Sequence, residues 1–238
     1  MKPEKNRYSR QIKLKEVGEK KQSQLPQKKI IIVGCGGLGS AAAELLLRAG
    51  VENITLIDQD KIELTNLGRQ LLYDEKDINK HKAVAAKEKL LRINSQANIV
   101  VKNDFLTRKN ISILKQADLV LDCTDNLETR FWINAYCYKH KIPWIYASAI
   151  RWEGYVMLIQ PGGPCLSCFL KKGSPENCNQ QGIISPLPTA MAALQATLAL
   201  RFLFGEKVES LLYRLDLKNM KLIEMKVKKN IKCLTCSH

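Results

Sequence analysis

No stretch of this chain is apolar for long enough to enter a membrane. The N-terminal segment MKPEKNRYSRQIKLKE is charged and lacks the apolar centre of a secretory signal. The most apolar helix-like run, residues 190–204, is interrupted by Gln195 and Arg201 and is too short to span a bilayer. The expectation is a cytoplasmic protein with no membrane contact. Internal repeats and low-complexity segments are also missing, so neither a repeat array nor a long linker is expected. Acidic residues are scarce: 23 Asp and Glu stand against 38 Lys and Arg, a formal net charge of +15. Such an excess can serve nucleic acid, an anionic membrane surface or an acidic protein. The lysines are scattered and no aromatic residues are interleaved among them, which argues against nucleic acid. An acidic protein partner plus a polyphosphate substrate ranks first, beside the plainer alternative of a lysine-rich solvated surface.

What is present suffices for one substantial core, with 45% hydrophobic residues in 238. The stretch 29–60 organises it. Ile30 to Val33 is a β-branched run, Gly34-Cys-Gly36-Gly37-Leu-Gly39 is a turn, and an alanine- and leucine-rich helix is expected from about Ser40. Glycines let backbone amides approach a phosphate, and the helix start offers free N–H groups and a positive dipole end. Asp58 follows the second strand, where a carboxylate can accept from ribose hydroxyls. This is a nucleotide site of the βαβ type. The motif does not choose the nucleotide, and a dinucleotide is the default.

Beyond Asp58 come Asp60 and the polar segment Glu63-Leu-Thr65-Asn66-Leu67-Gly68-Arg69-Gln70, expected past the carboxyl end of the second strand, where ligands sit in open parallel sheets. Asn79 is a plausible cap for a helix reaching about Ile93. Lys82 would lie in that helix's first turn, where a cation opposes the dipole. Strands are expected at 98–102, 118–122 and 142–147, and short or regular helices at 111–117, 127–139 and 189–204. Alternating antiparallel strands are expected at 155–160 and 211–227. Asp122 and Asp125 at a strand's carboxyl edge could hold a divalent ion against phosphate. Alternatively, Asp125 and Asn126 cap the following helix.

Four of the eight cysteines fall in two pairs, Cys165-Leu-Ser-Cys168 and Cys233-Leu-Thr-Cys236. For a cytoplasmic chain this predicts a closed, structural four-thiolate zinc site, with redox-active pairs as the alternative. The fold class expected is α/β: a Rossmann-like, mostly parallel open sheet with added antiparallel strands and a small zinc site. An N-terminal arm (1–28), a nucleotide-binding unit (29–160) and a zinc- and partner-binding region (161–238) would share one core as a single domain.

Arg69, Lys82 and Asp125, with Arg10 as a fourth, are more charge than a dinucleotide needs. They suit attack of a carboxylate on the α-phosphate of ATP, where two anions must meet and fixed cations with magnesium offset their repulsion. RYSRQ, GCGGLG, DQD, TNLGRQ, HK, DCTDN, the cysteine pairs and the loop NCNQQGIISPL, in that order, resemble the ThiF/MoeB/HesA family of ubiquitin-activating-like adenylyltransferases over residues 7–236. The resemblance implies ATP-dependent adenylation of the C-terminal Gly-Gly of a ubiquitin-like sulfur-carrier protein, for thiamine or molybdopterin synthesis. It implies phosphate binding by Gly34, Gly36, Gly37 and Gly39, with Asp58 on the ribose. Thr65, Asn66, Arg69, Gln70 and Lys82 would face the nucleotide, with Asp125 on magnesium. By the same resemblance Arg10 reaches the nucleotide of a second subunit in a homodimer. Cys165, Cys168, Cys233 and Cys236 match zinc ligands, and Cys178 matches a cysteine that in some members links covalently to the carrier. The chain departs from the pattern at Cys35 and at 188–192. No rhodanese-like segment follows, so a separate sulfur-donating protein is expected. RYSRQ and the Cys178 loop lean toward the thiamine branch, AIRWEG toward the molybdopterin branch. Competing readings are activation of a tRNA-linked carboxylate, an NAD-dependent oxidoreductase and a non-catalytic zinc scaffold.

Overall fold

A computed structural model describes residues 7–171 and 181–237. Strand β1 (Lys29–Val33) sends Ile30 and Ile32 into one apolar cluster and Ile31 and Val33 into another, all buried. A strand apolar on both faces belongs inside a parallel sheet covered by helices. It lies between β2 (Asn53–Ile57) and β4 (Leu119–Asp122), parallel to both. With β3 (Asn98–Lys102), β5 (Trp144–Ile150), β6 (Glu153–Ile159), β7 (Leu211–Asp216) and β8 (Lys221–Lys226), the sheet order is β3-β2-β1-β4-β5-β6-β7-β8. Pairing is parallel from β3 to β5 and antiparallel from β5 to β8. The mixed sheet expected from the sequence is therefore present.

Helices α1 (Ser9–Ile12) and α2 (Gly18–Gln22) precede the sheet. Helices α3 (Gly37–Ala49), α4 (Leu64–Leu67), α5 (Lys82–Ile93), α6 (Leu127–Lys139) and α7 (Pro186–Leu203) follow in order. The face carrying Ile30 and Ile32 is covered by α3, α5 and α7, through Leu46, Leu90 and Met191 among others. The opposite face is covered by α6, through Ile133 and Cys137, by a 3-10 turn at Ile111–Gln116, and by the segments bearing the paired cysteines.

Three helix starts differ from expectation. α3 begins at Gly37 rather than near Ser40, because Gly36 in extended conformation acts as its N-cap. α5 begins at Lys82, not Asn79: Asn79 is left-handed (φ 71°) and His81 is the extended N-cap. Lys82 is thereby the first helical residue. α7 starts at Pro186, since proline in a first turn loses only an N–H that would have had no helical partner.

The strand order turns back at β1, with β2 and β3 on one side and β4 on the other. This opens a crevice beyond the carboxyl ends of β1 and β4. Two glycines permit the approach there. A Cβ on Gly34 (φ +92°) would lie 2.7 Å from the Cys123 carbonyl oxygen, and one on Gly39 would lie 1.8 Å from the Gly34 oxygen. Gly68, by contrast, has helical φ (−64°) and nothing within 4 Å of its missing Cβ. Gly39→Ala should cost at least about 3 kcal/mol or prevent folding, whereas Gly68→Ala should be neutral or stabilising by about 0.5 kcal/mol. Urea midpoints of the two variants check this pair, and equal midpoints would contradict the packing described.

Candidate active site

A cleft of about 420 Å³ occupies the crevice. Its floor is the glycine turn, with Gly34, Gly36 and Gly37 at the surface. Gly39 stands behind them, packed on the Gly34 backbone and the Cys123 side chain. The turn is fastened from two sides. The Cys35 N–H donates to Asp58 Oδ2 (2.6 Å), and the Tyr73 hydroxyl reaches the carbonyls of Cys35 (2.7 Å) and Lys82 (3.1 Å). Cys35 itself is buried, and desolvation together with Asp58 pushes its thiol well up, so it is packing rather than a nucleophile.

Asp58 accepts the Asp60 N–H on Oδ1 (2.7 Å) as well, which leaves each carboxylate oxygen a further lone pair toward the cleft. Burial raises its pKa against the opposing effect of these hydrogen bonds and Lys82. Lys82 is 8% exposed and its Nζ pairs with Asp60 Oδ2 at 2.9 Å. The position at the helix start explains the pairing: an ammonium there faces free N–H groups, and the neighbouring carboxylate offsets both.

Thr65, Asn66, Arg69 and Gln70 form one wall. Glu63 and Asn66 close a capping box on α4, so Asn66 shapes the wall as well as facing it. Arg69 Nη1 donates to the Thr65 carbonyl at 3.0 Å, which folds the guanidinium back along the wall. Gln70 is 3% exposed, and its Oε1 has no hydrogen-bond partner among the described residues. Such an acceptor is costly to bury and suits a donor from a ligand. Leu67 and Gly68 do not line the cleft. The Gly68 carbonyl instead accepts from Ser185 Oγ, tying α4 to the start of α7.

The opposite wall carries Asp125 and Asn126. Of the two expected caps, Asn126 takes that role and Asp125 does not. Asn126 Oδ1 caps α6 by accepting from the Thr129 N–H (3.0 Å), while Asp125 is exposed in the cleft. Asp122 is corrected as a metal-ligand candidate. It is fully buried, pairs with Arg130 and accepts from Thr124, so it has no free edge for an ion. Arg69, Lys82 and Asp125 thus share one cleft. Arg10 does not line it; it is exposed on α1, which Gln11 fastens to the end of α3 through Gln22 (2.7 Å) and the Ala49 carbonyl (3.0 Å). Cys178 lies outside the described residues.

Sequence reasoning missed Tyr73, Arg130 and an apolar side made by Ile57, Phe105 and Leu106. Arg130 carried one signal: a guanidinium on the buried face of a helix has to have a partner.

The sulfurs of Cys165, Cys168, Cys233 and Cys236 all lie within 4.8 Å of one another. Cys165 and Cys233 are 3.6 Å apart, Cys168 and Cys236 3.4 Å, too long for disulfides and near the ~3.8 Å edge that a tetrahedral Zn–S bond of ~2.3 Å implies. Asn134 accepts from the Leu166 N–H (3.0 Å), and the Asn230 N–H donates to Cys168 Sγ (3.5 Å), as supports of a metal cage do. The donor set fits a closed four-coordinate metal, and none of these cysteines borders the cleft.

A mostly parallel sheet with a glycine turn, a partly buried acid after the second strand and cations lining one cleft defines a nucleotide-binding α/β enzyme. The profile of the ThiF family matches residues 8–235, and the chain belongs to that family, at the level of an adenylyltransferase. It is 36% identical over 238 residues to the molybdopterin-synthase adenylyltransferase of Escherichia coli (strain K12), covering 97% of this chain and 95% of that one. It is 38% identical over 219 residues to the sulfur carrier protein ThiS adenylyltransferase of Bacillus subtilis (strain 168), covering 89% of this chain. That match spans 65% of the Bacillus protein. Among solved structures, E. coli MccB with ATP superposes with a TM-score of 0.86 at 26% identity, over 98% of this chain and 75% of that one.

The raised pKa of Asp58 has a stability consequence. A carboxyl that holds its proton more tightly when folded stabilises the fold below its unfolded pKa, and that contribution is lost as pH rises through the folded value. Urea midpoints of the wild type minus those of Asp58→Asn should therefore fall as pH climbs from the ordinary carboxylate range. A flat difference would show that the burial does not act on this group.

Proposed function

We propose that this protein adenylates the C-terminal glycine carboxylate of a ubiquitin-like sulfur carrier, ThiS- or MoaD-like, at the expense of ATP, for thiamine or molybdopterin synthesis. The observation that carries the reading is the convergence of Arg69, Lys82 and Asp125 on the cleft floored by the glycine turn. The names of the two relatives support the acceptor class, and the MccB structure with ATP supports the nucleotide.

In this reading the turn amides and the start of α3 hold phosphates, Asp58 holds the ribose, and the apolar side at Ile57 and Phe105 receives the base. Lys82 leaves Asp60 for the polyphosphate, and Arg69 neutralises it from the facing wall. Gln70 Oε1 accepts from a nucleotide hydroxyl. A carrier carboxylate oxygen forms a bond to the α-phosphorus, and the bond from that phosphorus to the bridging oxygen breaks. Pyrophosphate leaves with the electron pair, and the acyl-adenylate remains. Asp125 would hold magnesium, which supplies further neutralisation of the phosphates. The step needs no side-chain nucleophile; positioning and fixed charge supply the acceleration.

Zinc in the four-cysteine cage staples residues 233–236 to the middle of the chain. The arm (1–28), the nucleotide-binding part (29–160) and the zinc- and partner-binding part (161–238) act as one domain. A homodimer belongs to the same reading. Arg10 is exposed and outside its own chain's cleft, and Leu14, Leu64 and Leu71 are exposed in the segments that carry Arg10 and Arg69. A second copy covering them would bring its Arg10 to this nucleotide. Cys178 as a covalent link to the carrier, a separate sulfur donor and a cytoplasmic setting complete the reading.

Carrier-dependent ATP–pyrophosphate exchange tests it. Asp125→Ala should lower exchange by at least ~10²-fold with fold and zinc content unchanged, and undiminished exchange in that variant would refute its place in the chemistry. Arg10→Ala and Lys82→Ala, each inactive alone, should regain part of the activity when their subunits are mixed, because one of the two composite sites then holds both groups. Absence of recovery in a verified mixed dimer would remove Arg10 from the site.

A further inference from the structure

The end of β4 and the first turns of α6 enclose a buried pair, Asp122 (0% exposed) and Arg130 (2% exposed). Their side chains do more than neutralise each other at 3.4 Å. Asp122 Oδ1 accepts from both the Thr124 N–H (3.0 Å) and the Thr124 hydroxyl (2.8 Å). Arg130 Nη2 donates to the Thr124 carbonyl (2.5 Å) and to the Ala147 carbonyl on β5 (3.3 Å), and its guanidinium lies over the Tyr146 ring at 5.2 Å.

The Thr124 carbonyl belongs to the peptide plane that joins Thr124 to Asp125. Gripping that oxygen fixes the plane, and the plane fixes the nitrogen and Cα of Asp125. One residue further on, the Asn126 cap fixes the chain again. Asp125 is held on both sides while its own carboxylate makes no hydrogen bond or ion pair among the described residues.

The geometry points to Arg130 as the positioning residue that aims the Asp125 carboxylate into the cleft, with Asp122 as the anchor that holds Arg130 in place. This rests on the reading of Asp125 as the metal-facing group. The arrangement also sets the local charge. Because Arg130 neutralises Asp122, the strand end presents a single carboxylate, which suffices for a magnesium shared with a polyphosphate. A lysine cannot replace the guanidinium, because one ammonium cannot reach the two carbonyls and the carboxylate with a planar fork. Asparagine cannot replace Asp122, because its amide accepts on one side only and turns a donor toward either Arg130 or Thr124.

The test is Mn²⁺ binding in the presence of a non-hydrolysable ATP analogue, read by electron paramagnetic resonance, alongside the metal dependence of carrier-dependent exchange. Arg130→Lys should weaken Mn²⁺ binding roughly 10–100-fold and raise the half-saturating metal concentration in step, with the exchange rate recovering at saturating metal. Asp122→Asn should do the same and serves if Arg130→Lys does not fold. A folded variant that binds Mn²⁺ as the wild type does overturns the inference, even if its exchange rate falls, since a structural role alone lowers the rate without moving the metal dependence. Asp125→Ala is the control. Wild-type Mn²⁺ affinity in that variant overturns the metal reading and this inference with it, whereas tight Mn²⁺ binding by the wild-type protein without any carrier-dependent exchange overturns only the acceptor.

Discussion

The cleft depends on how closely the backbone of the glycine turn meets the end of β4. Gly34 sits against the Cys123 carbonyl with no room for a Cβ, and Gly39 sits against Gly34. This contact brings the start of α3, which attracts anions, beside the loop that carries Asp125. A side chain at either glycine would push the two walls apart, so the chemistry of the site is set first by an absence of atoms.

Within that frame the charges divide by burial. Asp122 and Arg130 are taken out of solvent together, and such a pair contributes to placement more than to net stability, because desolvation offsets most of its attraction. Lys82 is buried but its partner Asp60 is half exposed, so the carboxylate can return to water if the ammonium turns to another anion. Gln195, fully buried in α7, adds a neutral version of the same device. Its amide nitrogen donates to the carbonyls of Asp122 (3.0 Å) and Ile145 (3.2 Å), while the Cys123 thiol donates to its oxygen (3.2 Å). It closes the gap where β4 and β5 diverge after pairing at Leu121 and Ile145.

The cysteine cage works on the opposite face, against the cluster of Ile133, Trp144 and Leu166. Its ligands come from positions far apart in the chain, so a bound metal restrains the antiparallel end of the sheet without touching the cleft. A closed donor set has no position for substrate, so a metal held there would serve the fold and not the cleft.

Much of this was legible from the residues alone. The β1–α3–β2 unit, the strands near 98–102 and 118–122, and helix 127–139 follow from periodicity and turn chemistry, which act between near neighbours. The cysteine pairs declared their cage by spacing. Helix starts at Gly37, Lys82 and Pro186 were misplaced by about three residues, because caps depend on the conformation of one residue, such as left-handed Asn79. Asp122 was misread because its partner, Arg130, is set opposite it by the packing of α6 on the sheet. Tyr73 and Gln195 were invisible for the same reason. Local sequence therefore determined which elements form and which chemical groups they carry; strand order and helix packing alone decided which of those groups meet, because each meeting joins segments whose separation in the chain says nothing about their distance in space.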